Sequence, residues 1–236
     1  MSQISTDISI VVSARDEGRL LNACITSVER ACLEAERFGL VVERVLLAAA
    51  PSAATLAWSD ERLPARWLRT IVAESDIGTA RNSIVPELRG AMIAFLKGGD
   101  LCSRDWLWRS YKNIDCNRTV MRPELAILFG GSFGVIFNPN LCAREADAAS
   151  VGMRNPFTTG IAATKWLFAT MPFPPKEIAD GVESSEWHWT LDTLSKGDDP
   201  AIASGTWLYL RTSPAGSTGA TATRIGRSAL FELRRC

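Results

Sequence analysis

Gly78-Thr79-Ala80-Arg81-Asn82, followed beyond Gly90 by Ile93-Ala94-Phe95-Leu96-Lys97-Gly98-Gly99-Asp100-Leu101, decides how this chain is read. The stretch predicts a short helix, a glycine break, a buried strand, and a tight turn that delivers one carboxylate at the strand's C-terminal end. In open α/β sheets the ligand crevice lies outside those ends. Lys97, Gly98 and Asp100 are therefore the first candidates for chemistry.

Upstream, Asp7-Ile8-Ser9-Ile10-Val11-Val12-Ser13 is β-branched and bounded by polar residues, which predicts a first, central strand. The polar turn Ala14-Arg15-Asp16-Glu17-Gly18 follows. Leu20, Leu21, Cys24, Ile25, Val28 and Cys32 then recur at helical spacing, giving an amphipathic helix that ends before Gly39. Residues 40–48, 68–73 and 91–96 read as further strands separated by helix-sized segments, and the second is followed by the small-residue run Ala49-Ala50-Pro51-Ser52-Ala53-Ala54-Thr55. This alternation predicts a mostly parallel, doubly wound α/β sheet.

Downstream, residues 125–129 and 135–138 flank Gly130-Gly131 and predict a hairpin, so the C-terminal half adds antiparallel strands. Residues 183–197 open with acids and serines and close with Lys196 and Gly197, the marks of a helix. Trp187 falls on its apolar face with Leu191 and Leu194 and is expected in the core, while His188 and Trp189 fall on other faces and are ligand candidates. A last strand over 206–211 precedes a segment made largely of Ser, Thr, Gly and Ala.

Composition narrows the partners. The chain has 236 residues, 47% hydrophobic and 22% charged, enough to bury one full core. With 26 basic and 26 acidic residues the formal net charge is zero, which argues against nucleic acid or an anionic membrane as the main partner. The six cysteines, at 24, 32, 102, 116, 142 and 236, form no C-x-x-C pair and read as reduced, mostly buried thiols, and His188 alone cannot complete a cysteine/histidine zinc box. No basic-then-apolar leader opens the chain, and its most apolar stretch, 40–58, is broken by Glu43 and Arg44, so no membrane span and a cytoplasmic protein are expected.

Gly78-x-Ala80-Arg81-Asn82, the apolar strand, Leu96-x-Gly98-x-Asp100-Leu101 and Trp106-Leu107 resemble the central block of the family 2 inverting glycosyltransferases, close to G-x-A-R-N, then A-F-L-D-G-D-D-L, then W-L. Ser13-Ala14-Arg15-Asp16-Glu17-Gly18 is similar to the family's P-A-R-N-E-G turn beside the nucleotide base. Arg122-Pro123-Glu124 with Phe129-Gly130 is similar to a bacterial subgroup's H-P-E and F-G segment, and Glu186-Trp187-His188-Trp189 to its E-D-W-H-W. The resemblance spans roughly residues 7–211 and implies a GT-A-like fold, a nucleotide-diphospho-sugar donor and a hydroxyl acceptor.

It further implies donor contacts at Ala14, Arg15, Asp16, Glu17, Ala48, Arg81, Lys97, Gly98, Asp100 and Arg211, with Arg224 a further cation. Glu186 would be the general base, with Trp187, His188 and Trp189 beside the acceptor. Glu186 also reads as a helix-start acid that complements the dipole.

Family acids are replaced at three places: Ala48-Ala49-Ala50 stands after the second strand, Lys97 and Gly99 stand in the metal turn, and Ser185-Glu186 stands for E-D. The sequence thus fixes no cofactor. The resemblance implies Mn²⁺ or Mg²⁺, at a degenerate turn where Asp100 is the remaining candidate ligand. Lys97 reads either as a fixed cation replacing the metal or as a solvated lysine at a decayed site.

The expectation is a GT-A-like domain over 1–211 with a flexible tail or lid over 212–236, acting as an inverting and metal-independent glycosyltransferase. The alternative is a non-catalytic or repurposed GT-A-like protein that binds a partner or another small molecule. The sequence does not set the oligomeric state.

Overall fold

In the computed structural model, described over residues 5–139, 157–175 and 185–212, the predicted alternation is present. β1 (Ile8–Ala14), β2 (Val42–Ala49), β3 (Leu68–Val72) and β4 (Met92–Lys97) form a parallel set in the order β3-β2-β1-β4. Strand 1 is buried at every position, which is why its side chains do not alternate in polarity. The connecting helices are α1 (Leu21–Arg37), α2 (Ala53–Arg62) and α3 (Ile77–Ile84), with a single 3-10 turn at Gly18–Leu20 before α1.

The C-terminal half extends this sheet with antiparallel strands. β5 (Leu101–Cys102) follows the 97–100 turn, α4 (Trp106–Asn113) follows it, and β6 (Thr119–Gly130) pairs with β7 (Gly134–Phe137) in the predicted hairpin. β8 (Ile161–Thr164) runs antiparallel to both β4 and β6, and α5 (Lys165–Thr170) leaves it. After α6 (Ser185–Ser195), β9 (Asp199–Thr212) lies parallel to β6 and antiparallel to β5. The whole is a nine-stranded mixed sheet among the described residues, in the order β3-β2-β1-β4-β8-β6-β9-β5 with β7 on β6.

Helices cover both faces. On one side Leu21, Cys24, Val28 and Cys32 of α1 and Trp106 and Leu107 of α4 meet Ile8, Ile10, Val12 and Leu96. On the other, Ala80 and Ile84 of α3, Leu167 and Phe168 of α5 and Trp189 of α6 meet Val11, Phe95 and Ile161.

One sequence expectation changes and two elements went unread. β9 is longer than the predicted 206–211 strand, and β8 with α5 carries no pattern strong enough to be read in advance. The tail beyond 212, with Arg224, lies outside the described residues, as do Cys142 and Cys236. Cys24, Cys32 and Cys102 are free and buried, whereas Cys116 is exposed. Burial pushes the Cys32 and Cys102 thiols up to about 12, so these are packing groups rather than nucleophiles. No helix among the described residues is long and apolar enough to cross a membrane.

Candidate functional site

The C-terminal ends of β1 and β4 open into a cleft of about 800 Å³ whose walls include Ser13, Arg15, Glu17, Asp76, Arg81, Lys97 and Glu186. The turn after β1 is held by backbone contacts. The Arg15 N–H donates to Glu17 Oε2 at 2.5 Å, and the Arg15 carbonyl accepts from the Ser52 N–H at 2.9 Å. The turn after β4 is drawn against it, because the Gly98 N–H donates to the Ser13 carbonyl at 2.7 Å. A Cβ on Gly98 would lie 3.1 Å from both Glu17 and Leu21, so glycine permits this approach.

Arg81 sits at the floor of the cleft and is only 2% exposed. Asp76 caps α3 by accepting from the Thr79 N–H at 2.8 Å, which sets the helix's start and the face that carries Arg81. Arg81 donates through Nε to Ser13 Oγ at 3.2 Å and through Nη1 to Glu186 Oε1 on α6. Its guanidinium also lies 4.9 Å and 5.5 Å from the ring centroids of Phe95 and Phe173.

Asn82 completes the arrangement. Its side chain donates to the Phe173 carbonyl at 2.8 Å and accepts from the Phe173 N–H at 2.9 Å. The Arg-Asn pair thus fixes a ring against which the arginine packs. Glu186 is 14% exposed at the side chain, and removing either partner of so buried a pair costs about 3–5 kcal/mol because a desolvated charge is left behind.

Behind Glu186 lies a second buried cation. Arg122 donates through Nη1 to the Thr158 carbonyl at 2.8 Å and through Nη2 to Thr190 Oγ1 at 2.7 Å, and Thr190 donates to the Glu186 carbonyl at 2.7 Å. Burial lowers the Arg122 guanidinium to about 10, and the negative charge of Glu186 opposes that shift.

The close approach of α3 and α6 requires Gly78. A Cβ there would lie 2.7 Å from Ser185 Oγ, 2.9 Å from Ser185 Cβ and 3.0 Å from Phe173 Cβ. Gly78→Ala is expected to cost about 2 kcal/mol through overpacking, and Ser185→Gly to recover much of it in the double variant. Thermal unfolding of the two single variants and the double measures that coupling, and strictly additive losses would disprove the contact.

The structure sorts the sequence-predicted residues. Arg15, Glu17, Arg81, Lys97 and Glu186 converge on the cleft. Ala14 and Ala48 are fully enclosed in their strands. Asp16 pairs with Arg15 at 3.1 Å on the exposed surface, where such a pair is worth little. Arg211 is exposed, with its guanidinium 5.0 Å from the Phe129 ring centroid.

Trp187 is 2% exposed, and Trp189, expected as a ligand residue, is fully buried. The Trp189 indole donates to the Met171 carbonyl at 2.6 Å and stacks on Phe168 at 5.2 Å between centroids. Both rings are enclosed because α6 is packed on more than one side, which helical spacing alone does not reveal. His188 is half-buried and is not part of the cleft wall.

Asp100 is also reassigned. It is 4% exposed, and one carboxylate oxygen accepts the Arg211 N–H at 2.8 Å, tying β9 to the turn after β4. Burial pushes its carboxyl up to about 7, against the Arg211 N–H and the charge of Lys97. Lys97, Gly99 and this engaged, desolvated acid do not form a donor set suited to Mn²⁺ or Mg²⁺. Among the described residues no three His, Cys, Asp or Glu side chains cluster as a metal site.

Residues that sequence reasoning missed include Glu74, Ser75 and Asp76, which line the cleft from the end of β3. Their signal was available: a polar run at the end of a parallel strand, one strand over from the Ala48-Ala49-Ala50 position where an acid was sought. Thr159 and Pro175 also line the cleft, delivered by long-range folding with no local signature.

The fold matches a known architecture. S. aureus TarS residues 1–349 in complex with UDP-GlcNAc superposes with a TM-score of 0.65 at 12% identity, covering 98% of this chain and 65% of that one. The fold is GT-A-like. The same region of TarS in complex with UDP gives 0.61 at 12% identity, over 89% of this chain and 61% of that one. Longer S. aureus TarS gives 0.64 at 12% identity, with 98% of this GT-A-like chain matched to 38% of that protein. The GT-A-like chain therefore spans about 60% of the length of the first matched structure. No protein-family model and no curated protein matches its sequence.

Proposed function

We propose that this chain is an inverting, family 2-like glycosyltransferase that places a nucleotide-diphospho-sugar over the ends of β1 and β4, with basic side chains doing what the family's divalent cation does. The observation that carries the reading is the pairing, in one cleft, of the exposed cations Lys97 and Arg15 with the carboxylate of Glu186. TarS, with the same fold, has been crystallised with UDP and with UDP-GlcNAc.

In this reading the acceptor hydroxyl gives its proton to Glu186 and its oxygen attacks the anomeric carbon. The bond from that carbon to the β-phosphate oxygen breaks, and the electron pair leaves with the nucleoside diphosphate. Direct displacement inverts the anomeric centre. Lys97 meets the charge that develops on the leaving diphosphate, with Arg15 across the cleft and Arg211 beside the turn.

Calorimetric titration with UDP, GDP and TDP, each with Mn²⁺ and with EDTA, tests this. At least one nucleotide is expected to bind in EDTA, and Lys97→Ala to weaken it about tenfold or more, the loss of one charge-assisted contact. Binding confined to Mn²⁺ would return the metal to the site. No binding under any condition would remove the nucleotide-sugar reading.

A second reading, binding without transfer, rests on the Arg81 contact that occupies Glu186 Oε1. It expects UDP to bind while UDP-GlcNAc is never consumed.

A further inference from the structure

We infer that Arg81 is a positioning residue for Glu186 and not a ligand of the donor diphosphate, the role that the family resemblance implies. The inference rests on the transferase reading above and assigns a different task to one of its residues. Arg81 is the least exposed cation in the cleft, and each contact it makes ties down a different part of the wall. Ser13 at the end of β1 takes Nε, Phe95 of β4 and Phe173 lie near its guanidinium, and Glu186 takes Nη1.

A guanidinium is planar and its donors form a rigid fork. Once Nε is held by Ser13 and the plane is held near two rings, the direction of Nη1 is set. The carboxylate that receives it is then fixed through Oε1. Glu186 Oε2 makes no hydrogen bond among the described residues, and it is the oxygen left to take the acceptor proton.

Electrostatics point the same way. For a diphosphate to bind Arg81 through Nη1, it would have to take the place of Glu186. The carboxylate would then be left largely buried beside a new anion, with its partner gone. Lys97 and Arg15 line the same cleft with exposed side chains and meet the anion without that exchange. The cations of this site thus divide into a buried one that serves the base and exposed ones that serve the donor.

The test separates binding from turnover, using UDP affinity in EDTA and the release of UDP from UDP-GlcNAc with water as acceptor. Arg81→Gln is expected to leave UDP affinity within about twofold of wild type while kcat falls by 50-fold or more. Arg81→Lys, which keeps a donor but not the fork, is expected to recover part of kcat, and added guanidinium to recover part of it in Arg81→Ala. Ser13→Ala, which frees Nε alone, is expected to lower kcat by a smaller factor with UDP affinity unchanged, and it serves where Arg81→Gln does not fold. Thermal unfolding of each variant confirms that the folded state is the one assayed.

A tenfold or greater loss of UDP affinity in Arg81→Gln, with Glu186→Gln binding normally, would overturn the inference and make Arg81 a donor ligand. Equal kcat in Arg81→Gln and wild type would overturn it as well. Wild-type protein that binds no nucleotide would instead bring down the transferase reading itself, and this assignment with it.

Discussion

Gly90→Ala is expected to destabilise the protein by roughly 3 kcal/mol or more, at the upper end of overpacking effects. A Cβ at Gly90 would fall 2.2 Å from the Ser9 nitrogen and 2.6 Å from the Ile8 carbonyl carbon, both backbone atoms of β1. Backbone atoms in the middle of a sheet cannot rotate away as a side-chain tip can, so the chain would have to shift as a whole.

The shift would also break a buried polar network. The Gly90 N–H donates to Ser9 Oγ at 2.8 Å, Ser9 donates to Glu43 Oε2 at 2.5 Å, and the Arg89 N–H donates to the same oxygen at 2.9 Å. Despite burial, which works in the opposite direction, these bonds hold the Glu43 carboxyl below its ordinary range. For a chain of this length the loss corresponds to a fall in melting temperature of about 10 °C, read by thermal unfolding. A fall of less than about 2 °C would mean that β1 and the segment before β4 are not packed this closely.

Asp100→Asn is expected to stabilise the protein at pH 8 and to have little effect near pH 4. The Asp100 carboxyl is pushed by burial from its ordinary 3.8 to about 7. Between those values the folded chain binds the proton more tightly than the unfolded chain, so this residue's contribution to stability falls as pH rises through that window and is flat above it. At about 1.4 kcal/mol per pH unit, the shift corresponds to roughly 4 kcal/mol.

Asparagine keeps an oxygen to accept the Arg211 N–H and carries no charge to desolvate. The difference between variant and wild type should therefore grow from pH 4 to pH 7, measured by urea unfolding across that range. A variant less stable than wild type at pH 8 would show that the ionised carboxylate is a favourable group in the folded state. That is the behaviour of an acid paired with Lys97 or poised for a cation.

Much of the architecture was legible because it is local. Apolar, β-branched runs bounded by polar or helix-sized segments identified β1 to β4, period-3.6 spacing identified α1, and Gly130-Gly131 marked the hairpin of β6 and β7. The end of β4 was legible as a candidate site for the same reason: once the sheet is read as parallel, its strand ends are determined. β8 and α5 escaped because four and six residues of unremarkable composition gain their structure from neighbours already in place.

The individual roles depended on burial, which periodicity does not encode. Asp100 and Lys97 are three positions apart and look alike as turn residues, yet one is sealed beneath Arg211 and the other faces the cleft. Trp189 looks like a ligand on a helical wheel and is core, because α5 and Phe173 close over it.

By itself the sequence determined the order of β1 to β4 with α1, the glycine-marked hairpin turn and which strand ends could hold a site. The tertiary structure alone decided that Arg81 and Glu186, 105 positions apart, would share one desolvated contact. A charge buried in that way must find its partner wherever the fold brings one, at any distance along the chain.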